Sequence, residues 1–592
     1  SVRIDGDQAT LEAQAGGITT LALPAATLAN GLPGATNFVP NNSDPVRTTG
    51  VLGRYFDVSL IANGTTTLAS NVTIDRLTLG GNGATLAVTT TGTLNSLMNV
   101  NHFAGTVLVD GTLNSVGDYS FFGGLITGTG RINTPFLTSV LGQFAPGSVG
   151  TTGTLTVGGN LILSSGSTYF VDLSGTSASD LIAVRATTFN GNTPTNGAAN
   201  VGGRLTVGYT NALRAGQTYT ILTAEGGVTG AFLAPTSFSA ILTPTVSYTA
   251  NSVRLSVQAG SYASVINTGS AVQGAYAGLL DRNRPNAANF DGIYGPLDLQ
   301  NQATIRSTLE GLAPTTETTV RSLGTAMVDS ASGLIRDRLE TLDMGSAGGT
   351  VARIGQPTRV ASTAIINSSN LASTPRMVGG NEQATVQEGA LPENMSAFIA
   401  GGYIDGDSAP MPAAIATARD NFDGWYVAAG LEALLDDESA LGFAVSYNKM
   451  DSSGAVAAHT AKANLIQGTL YGKYEAASGL TLDTQFSAGL LDSRTRRAVT
   501  FVGNTYLLTA DDSALAITSE AGVGYKINLG SVSLKPRAAW RSTYIDFSRT
   551  AETGGPVALV YDRKPVVSSQ LRGGLTFAGE GKIKPFVTGT YV

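Results

Sequence analysis

From Ser396 onward, apolar and polar residues alternate with a period of two over runs of about ten residues. This alternation restricts the possible folds more than any short motif in the chain. In "GWYVAAGLEALL", Trp425, Val427, Ala429, Leu431 and Ala433 alternate with Tyr426, Ala428, Gly430 and Glu432. "NLIQGTLYGKYEAAS" sets Ile466, Leu470 and Tyr474 against Gln467, Thr469, Tyr471, Lys473 and Glu475. "SVSLKPRAAWRSTYIDF" sets Val532, Leu534, Ala538, Trp540 and Tyr544 against Ser533, Lys535, Arg537 and Arg541, and "PVVSSQLRGGLTF" continues in the same way. One face is apolar and rich in rings while the other carries charge, the pattern of an antiparallel transmembrane β-barrel with lipid outside and a wet lumen inside. A soluble sandwich also alternates, but its solvent face seldom gathers Gly, Ala and aromatic residues in this way.

Between Tyr55 and Val257 the beat is shorter. Pairs of apolar residues two apart (Val72 and Ile74, Leu77 and Leu79, Leu86 and Val88, Val107 and Val109) are each followed by a Gly/Asn/Ser turn. "GTL" recurs at Gly92, Gly111 and Gly153. Strands this short bury nothing alone, so a coil of roughly 20 residues must stack on its neighbours and share one interior. The expectation is a right-handed parallel β-helix, against the alternative of a sandwich of short strands.

Around Ser264 the spacing becomes helical. "NTGSAVQGAYAGLLDRN", "QATIRSTLEGLAP" and "TETTVRSLGTAMVDSASGLIRDRLETLDMG" read as helices, with Pro314 interrupting and Gly345 closing the last. Val320, Leu323, Met327, Leu334, Ile335, Leu339 and Leu342 fall near one face of the long helix, and Ser322, Thr325, Asp329 and Ser332 on the other. Spanning Thr318 to Asp343, it would be about 40 Å long. The fold class is thus all-β with a helical insert. The domains expected are an irregular stretch over 1–54, a β-helical stem over 55–260, a helical linker over 261–345, a flexible linker over 346–395 and a barrel over 396–592.

Composition excludes several functions. There is no cysteine, so there are no disulfides and no thiolate metal sites, and two histidines leave little for a His-based triad or metal cluster. A net charge of −7 offers no basic footprint for nucleic acid. No apolar run reaches about 18 residues, so no transmembrane helix is expected. The chain opens on "SVRIDGDQAT", with neither Met nor signal peptide, and reads as an internal fragment of a longer precursor.

The order solenoid, helix, barrel resembles the type V autotransporters of Gram-negative bacteria. "FAPGSVGTTGTLTVGGNLILSSGSTYFVDLSGTSASDLIAV" (Phe144 to Val184) and "LRAGQTYTILTAEGGVTGAF" (Leu213 to Phe232) are similar to the end of that family's passenger, in the region associated with autochaperone folding. "NMSAFIAGGYIDGD" and "DGWYVAAGLEALL" resemble the opening strands of its translocator. The resemblance implies an outer-membrane translocator that secretes and displays its own β-helical passenger. The implied partners are outer-membrane lipid, the β-barrel assembly machinery, periplasmic chaperones and a host or cell-surface ligand, with no cofactor. It also implies a barrel of about twelve strands. About nine can be counted here, the last being "KIKPFVTGTYV", so the barrel is expected to be truncated before its final strands.

The site expected is the lumen. With the long helix threaded through the barrel, as the resemblance implies, Asp329, Asp337, Glu340 and Asp343 would face inward-pointing Lys535, Arg537, Arg541, Arg572 and Lys584. No catalytic or metal site is expected. Ser177 in "SGTSASD" lacks the continuation of a subtilisin-like nucleophile, and Ser408 in "DGDSAP" lacks the Asp-x-x-His partner of a lipase, since His459 has none nearby. His102 reads as a solvated rung or turn residue, and Asp110, Asp172 and Asp180 lack calcium-repeat spacing. Asn367 and Asn370 offer a weak case for self-cleavage, as they lie well after the helix. The rival readings are the stalk of a secreted subtilisin-like protease or esterase whose catalytic domain precedes Ser1, an adhesin and, least, a plain porin.

Overall fold

The computed structural model describes residues 57–342 and 391–579, without 176, 188–194, 393, 408–419, 454–457 and 531. Beyond those bounds it describes only short strands. The chain forms two units. The first holds the residues up to Val265 together with Leu280–Ile305, and the second Ile266–Leu279 together with Arg306 onward.

The first unit is a parallel β-solenoid. Gly64–Leu68, Ala84–Val88, Thr106–Val109, Leu125–Gly128, Gln143–Pro146, Thr168–Ser174 and Arg204–Tyr209 pair in that order, every neighbour parallel. A second ladder runs through Asp57–Leu60, Arg76–Leu79, Val100–His102, Tyr119–Phe121 and Arg131–Ser139. The sequence repeat sets the register, with Leu94, Leu113 and Ile132 stacked one above another. Leu79, Val88, Val107, Val109, Leu113, Ile126 and Ile132 are wholly buried. Each contributes on the order of 1.5–3 kcal/mol, but only because a neighbouring rung covers it.

The recurring "TLNS", "TLNS" and "RINT" place an asparagine at one position of successive rungs. Asn95 Nδ2 donates to Asn71 Oδ1 at 2.7 Å, Asn114 Nδ2 to Asn95 Oδ1 at 2.8 Å and Asn133 Nδ2 to Asn114 Oδ1 at 2.8 Å. Arg131 Nε closes this ladder on Asn133 Oδ1 at 2.6 Å. At the next register position the chain places Gly158, where even a Cβ would lie 2.2 Å from Asn133 Oδ1.

His102 is not solvated, contrary to expectation. It is fully buried, because Val100 and His102 both point inward, and its ring stacks on Phe121 at 4.5 Å. Nδ1 meets the Tyr119 hydroxyl at 3.1 Å and Nε2 the Gly105 carbonyl at 3.2 Å. Burial pushes its pKa down to about 4. The solenoid ends where pairing turns antiparallel, Ser252–Ala259 lying between Thr218–Ala224 and Leu242–Tyr248.

The helical region, expected as one linker, is divided between the units. Helix α1 is Ala271–Asn283, α2 Asp291–Asp298, α3 Gln302–Gly311 and α4 Thr315–Thr341. Arg284 ties the α2 region into the first unit. It is bidentate to Asp298 at 2.6 and 2.9 Å and lies over the rings of Tyr262 and Tyr294. Tyr262 donates to the same carboxylate at 2.6 Å.

In the second unit, antiparallel strands run in sequence order: Met395–Asp407, Asn421–Leu434, Ser439–Ser453, Thr460–Glu475, Leu480–Phe501, Asn504–Tyr525, Val532–Phe547, Val566–Gly579 and Phe586–Tyr591. Burial alternates along them as the sequence does. Trp425, Val427 and Leu431 are exposed, whereas Phe422, Tyr426, Ala428 and Glu432 are buried. Phe443, Ile466, Leu470, Phe486, Leu490, Trp540, Leu571 and Phe577 extend the exposed apolar surface. This is a barrel turned apolar side out, as lipid demands. The 346–395 stretch, expected as flexible linker, contains strands. Val351–Gly355 and Arg359–Ile365 both pair parallel to Met395–Asp407, supplying partners to backbone groups that an edge strand leaves open.

Candidate functional site: a helix held in the barrel lumen

Helix α4 carries Glu317 in its first turn and Arg338 in its last, the arrangement its dipole favours. Both faces are buried. Val320, Leu323, Met327, Leu334, Ile335 and Leu339 form one core cluster with Phe398, Ala400, Tyr426, Ala428, Tyr471, Leu491 and Ile545 of the wall. At Gly324 the helix passes so close that a Cβ would lie 2.7 Å from Leu491 Cδ2. Ser322, Thr325, Asp329 and Ser332 are buried too. An amphipathic helix with no exposed face is one surrounded on all sides, here by strands.

Of the expected contacts, Asp329 and Arg541 meet at 2.6 Å. Arg541 also reaches Ser332 Oγ at 3.3 Å. Arg537 instead pairs within the wall, with Asp483 and, at 3.0 Å, with Glu520. Arg572 donates to Gln570, two residues away on its own strand, at 2.7 Å. Glu340 of α4 interacts electrostatically with Arg537 and Lys535 of the wall, and Asp329 with Arg572. Asp337 and Glu340 lie in the last turns of the helix. Asp343 and Lys584 lie outside the described residues.

The opposite polarity was not anticipated. Arg338 on α4 is bidentate to Glu432 on the wall, at 2.8 and 2.6 Å, and Glu432 also accepts from Tyr471 and Ser396. Arg336 lies 3.4 Å from Glu520. Lys473 Nζ donates to the carbonyl of Leu342 at 2.7 Å, serving the C-terminal end of the helix. At the other end, Glu317 pairs with Arg563 at 2.6 Å, and Thr319 donates to Asp420 at 2.5 Å. The preceding turn is held by Arg497, bidentate to Glu552 and donating to the Leu312 carbonyl at 3.0 Å. The inward alternation that marked Arg541 also marks Glu432 and Glu520, and that signal could have found them.

His459 accounts for both of its ring nitrogens. Nε2 donates to the Ala498 carbonyl at 3.0 Å, leaving Nδ1 to accept from the Thr315 hydroxyl at 3.2 Å. Ser177 sits exposed in a turn. Asp110 accepts from the Thr129 N–H, Asp172 from Gly150, and Asp180 from both Gly153 and Asp172. Burial nonetheless raises the Asp180 pKa to about 7. Ser408, Asn367 and Asn370 lie outside the described residues. Among the described residues the lumen joins charges of the helix to charges of the wall. Its charge pairs anchor a helix, and what the arrangement does chemically is to hold one peptide segment in a pore.

A membrane barrel occupied by a helix of its own chain, preceded by a β-solenoid, defines a class of secretion protein. Residues 413–592 match the family described as the autotransporter beta-domain, so this part of the chain is a type V autotransporter translocator and its barrel belongs to the outer membrane. The translocator domain of the autotransporter NalP from Neisseria meningitidis is similar at 15% identity, over 33% of this chain and 67% of that one, with a TM-score of 0.28. None of the curated proteins compared with the chain matches it.

Proposed function

We propose that this barrel exports and displays the solenoid of its own chain, and that α4 is the last exported segment, retained in the lumen. The observation that carries the reading is the set of pairs Asp329–Arg541, Arg338–Glu432 and Glu317–Arg563, which hold α4 along its length. Stacking of rungs outside the membrane supplies a free-energy drop where no ATP is available. The barrel's apolar surface contacts outer-membrane lipid, and its insertion calls on the assembly machinery and periplasmic chaperones. The function is non-enzymatic: the solenoid is a stem that carries an adhesive or other surface activity. A catalytic domain ahead of Ser1, making this the stalk of a secreted protease or esterase, is the second reading, but no feature among the described residues favours it.

The test is protease treatment of intact cells producing the full chain. Degradation of the solenoid with the barrel preserved is the expected result. A solenoid that resists until the outer membrane is opened would end the reading.

A further inference from the structure

We infer that one edge of the solenoid is a self-complementary strip that docks a second copy of this chain, running antiparallel. Leu60, Leu79, His102, Phe121 and Ser139 are consecutive register partners, so the residues after them, Ile61, Gly80, Phe103, Phe122 and Val140, occupy one column at the surface. Ile61 is 70 % exposed, Phe103 51 %, Phe122 41 % and Val140 40 %. Phe103 and Phe122 stack on each other at 5.0 Å with an interplanar angle of 7°. No member of the column is ionisable.

The column has one gap. At Gly80 no described residue stands between Ile61 and Phe103, and among the described residues a Cβ built there meets only Ile61 Cγ2, at 3.7 Å. Rungs are spaced about 4.8 Å apart, so Ile61 and Phe103 lie about 9.6 Å apart along the axis. Less one contact thickness, that leaves about 6 Å, enough for a flat ring of about 3.5 Å. A two-fold axis between two antiparallel strips puts Phe103 of each copy into the Gly80 gap of the other and sets Ile61 against Phe122. Both insertions are satisfied by the same operation, as an isologous interface requires. Parallel strips in register would instead oppose ring to ring and gap to gap. The complementarity therefore selects the antiparallel pair, the sense open to copies anchored in two facing membranes. In cells the inference rests on surface display, but the docking itself does not.

The native chain contains no cysteine, so introduced thiols report alone. Full-length chain purified in detergent would be prepared as Ile61→Cys and as Phe122→Cys, then oxidised separately and as an equal mixture. The expected result is disulfide-linked dimer in the mixture, at least ten-fold above either variant alone, because each cysteine lies about three rungs from its own counterpart. Gly80→Val, which fills the gap at a tolerated position, should reduce the mixed product to the single-variant level, and added salt should not. Equal yields in all three samples, or no dimer in the mixture, overturn the proposal. So does a monomeric chain whose Phe103→Cys thiol resists maleimide, which would assign the strip to a segment of the same chain. Dimer formed in detergent by a chain that proteases cannot reach on cells would leave the docking standing and remove the display reading.

Discussion

Arg541 of the barrel wall and Asp329 of α4 form an ion pair at 2.6 Å with side chains only 1 % and 6 % exposed. A pair so enclosed adds little net stability over an apolar replacement, yet it is costly to break from one side. Its role is to set position, since α4 reaches this contact at one axial register.

Asp329→Asn or Arg541→Gln should therefore lower the temperature at which the barrel unfolds in detergent. A loss of about 3–5 kcal/mol is expected for either, with the double variant well short of the sum. Heat-modifiability on gels, run as a double-mutant cycle, measures it. Additive losses would mean that the two side chains act independently.

Glu432 holds Arg338, Tyr471 and Ser396 together near the C-terminal end of α4. Glu432→Ala leaves a guanidinium in the lumen without its carboxylate, so that end of the helix should loosen. The expected readout is more frequent open-pore events in planar bilayers than in the native protein. The pair exchange Arg338→Glu with Glu432→Arg should bring the frequency back toward the native level.

In the solenoid, Asn114 is the middle of the asparagine ladder. Asn114→Ala removes a donor and an acceptor at once, leaving Asn95 Oδ1 and Asn133 Nδ2 without these partners, at a cost of about 1–3 kcal/mol. Asn71→Ala, at the exposed end of the ladder, should cost less. Far-UV circular dichroism or limited proteolysis must report the difference, because both tryptophans, Trp425 and Trp540, lie in the barrel.

The barrel was readable because a strand has two faces, and alternation along Trp425 to Glu432 assigns them without reference to any other element. The solenoid was readable because Leu94, Leu113 and Ile132 repeat at a constant interval. What could not be read was which charge on α4 meets which charge on the wall. Arg537 and Arg541 both point inward, but Arg541 forms a direct ion pair with α4, whereas Arg537 is hydrogen-bonded to Asp483 and Glu520 and acts on Glu340 of α4 through space. That choice depends on the axial register of helix against strands, which neither pattern contains alone. His102 was misplaced for a different reason. Histidine's polarity was weighed, while its inward position beside Val100, in register with Phe121, was not.

That burial makes the stability of the solenoid depend on pH in a definite direction. The pKa of His102 falls from 6.5 to about 4 on folding, so the unfolded chain binds the proton more readily. Its contribution is complete above pH 6.5 and is lost as pH falls from 6.5 toward 4, for a total of about 3 kcal/mol. Asp180 works in the other sense. With its pKa raised from 3.8 to about 7, its contribution is complete below pH 3.8 and is lost as pH rises through 7. Between pH 4 and 6.5 the two oppose each other and the native profile should be shallow. His102→Phe with Tyr119→Phe keeps the ring stack and removes the titrating group together with its hydroxyl partner. Denaturation midpoints of that variant, followed by far-UV circular dichroism from pH 4 to 8, should fall steadily as pH rises to 7, the slope imposed by Asp180 together with Asp118, whose carboxyl pKa is likewise pushed up by burial. A variant profile parallel to the native one would mean that His102 does not govern the acid limb.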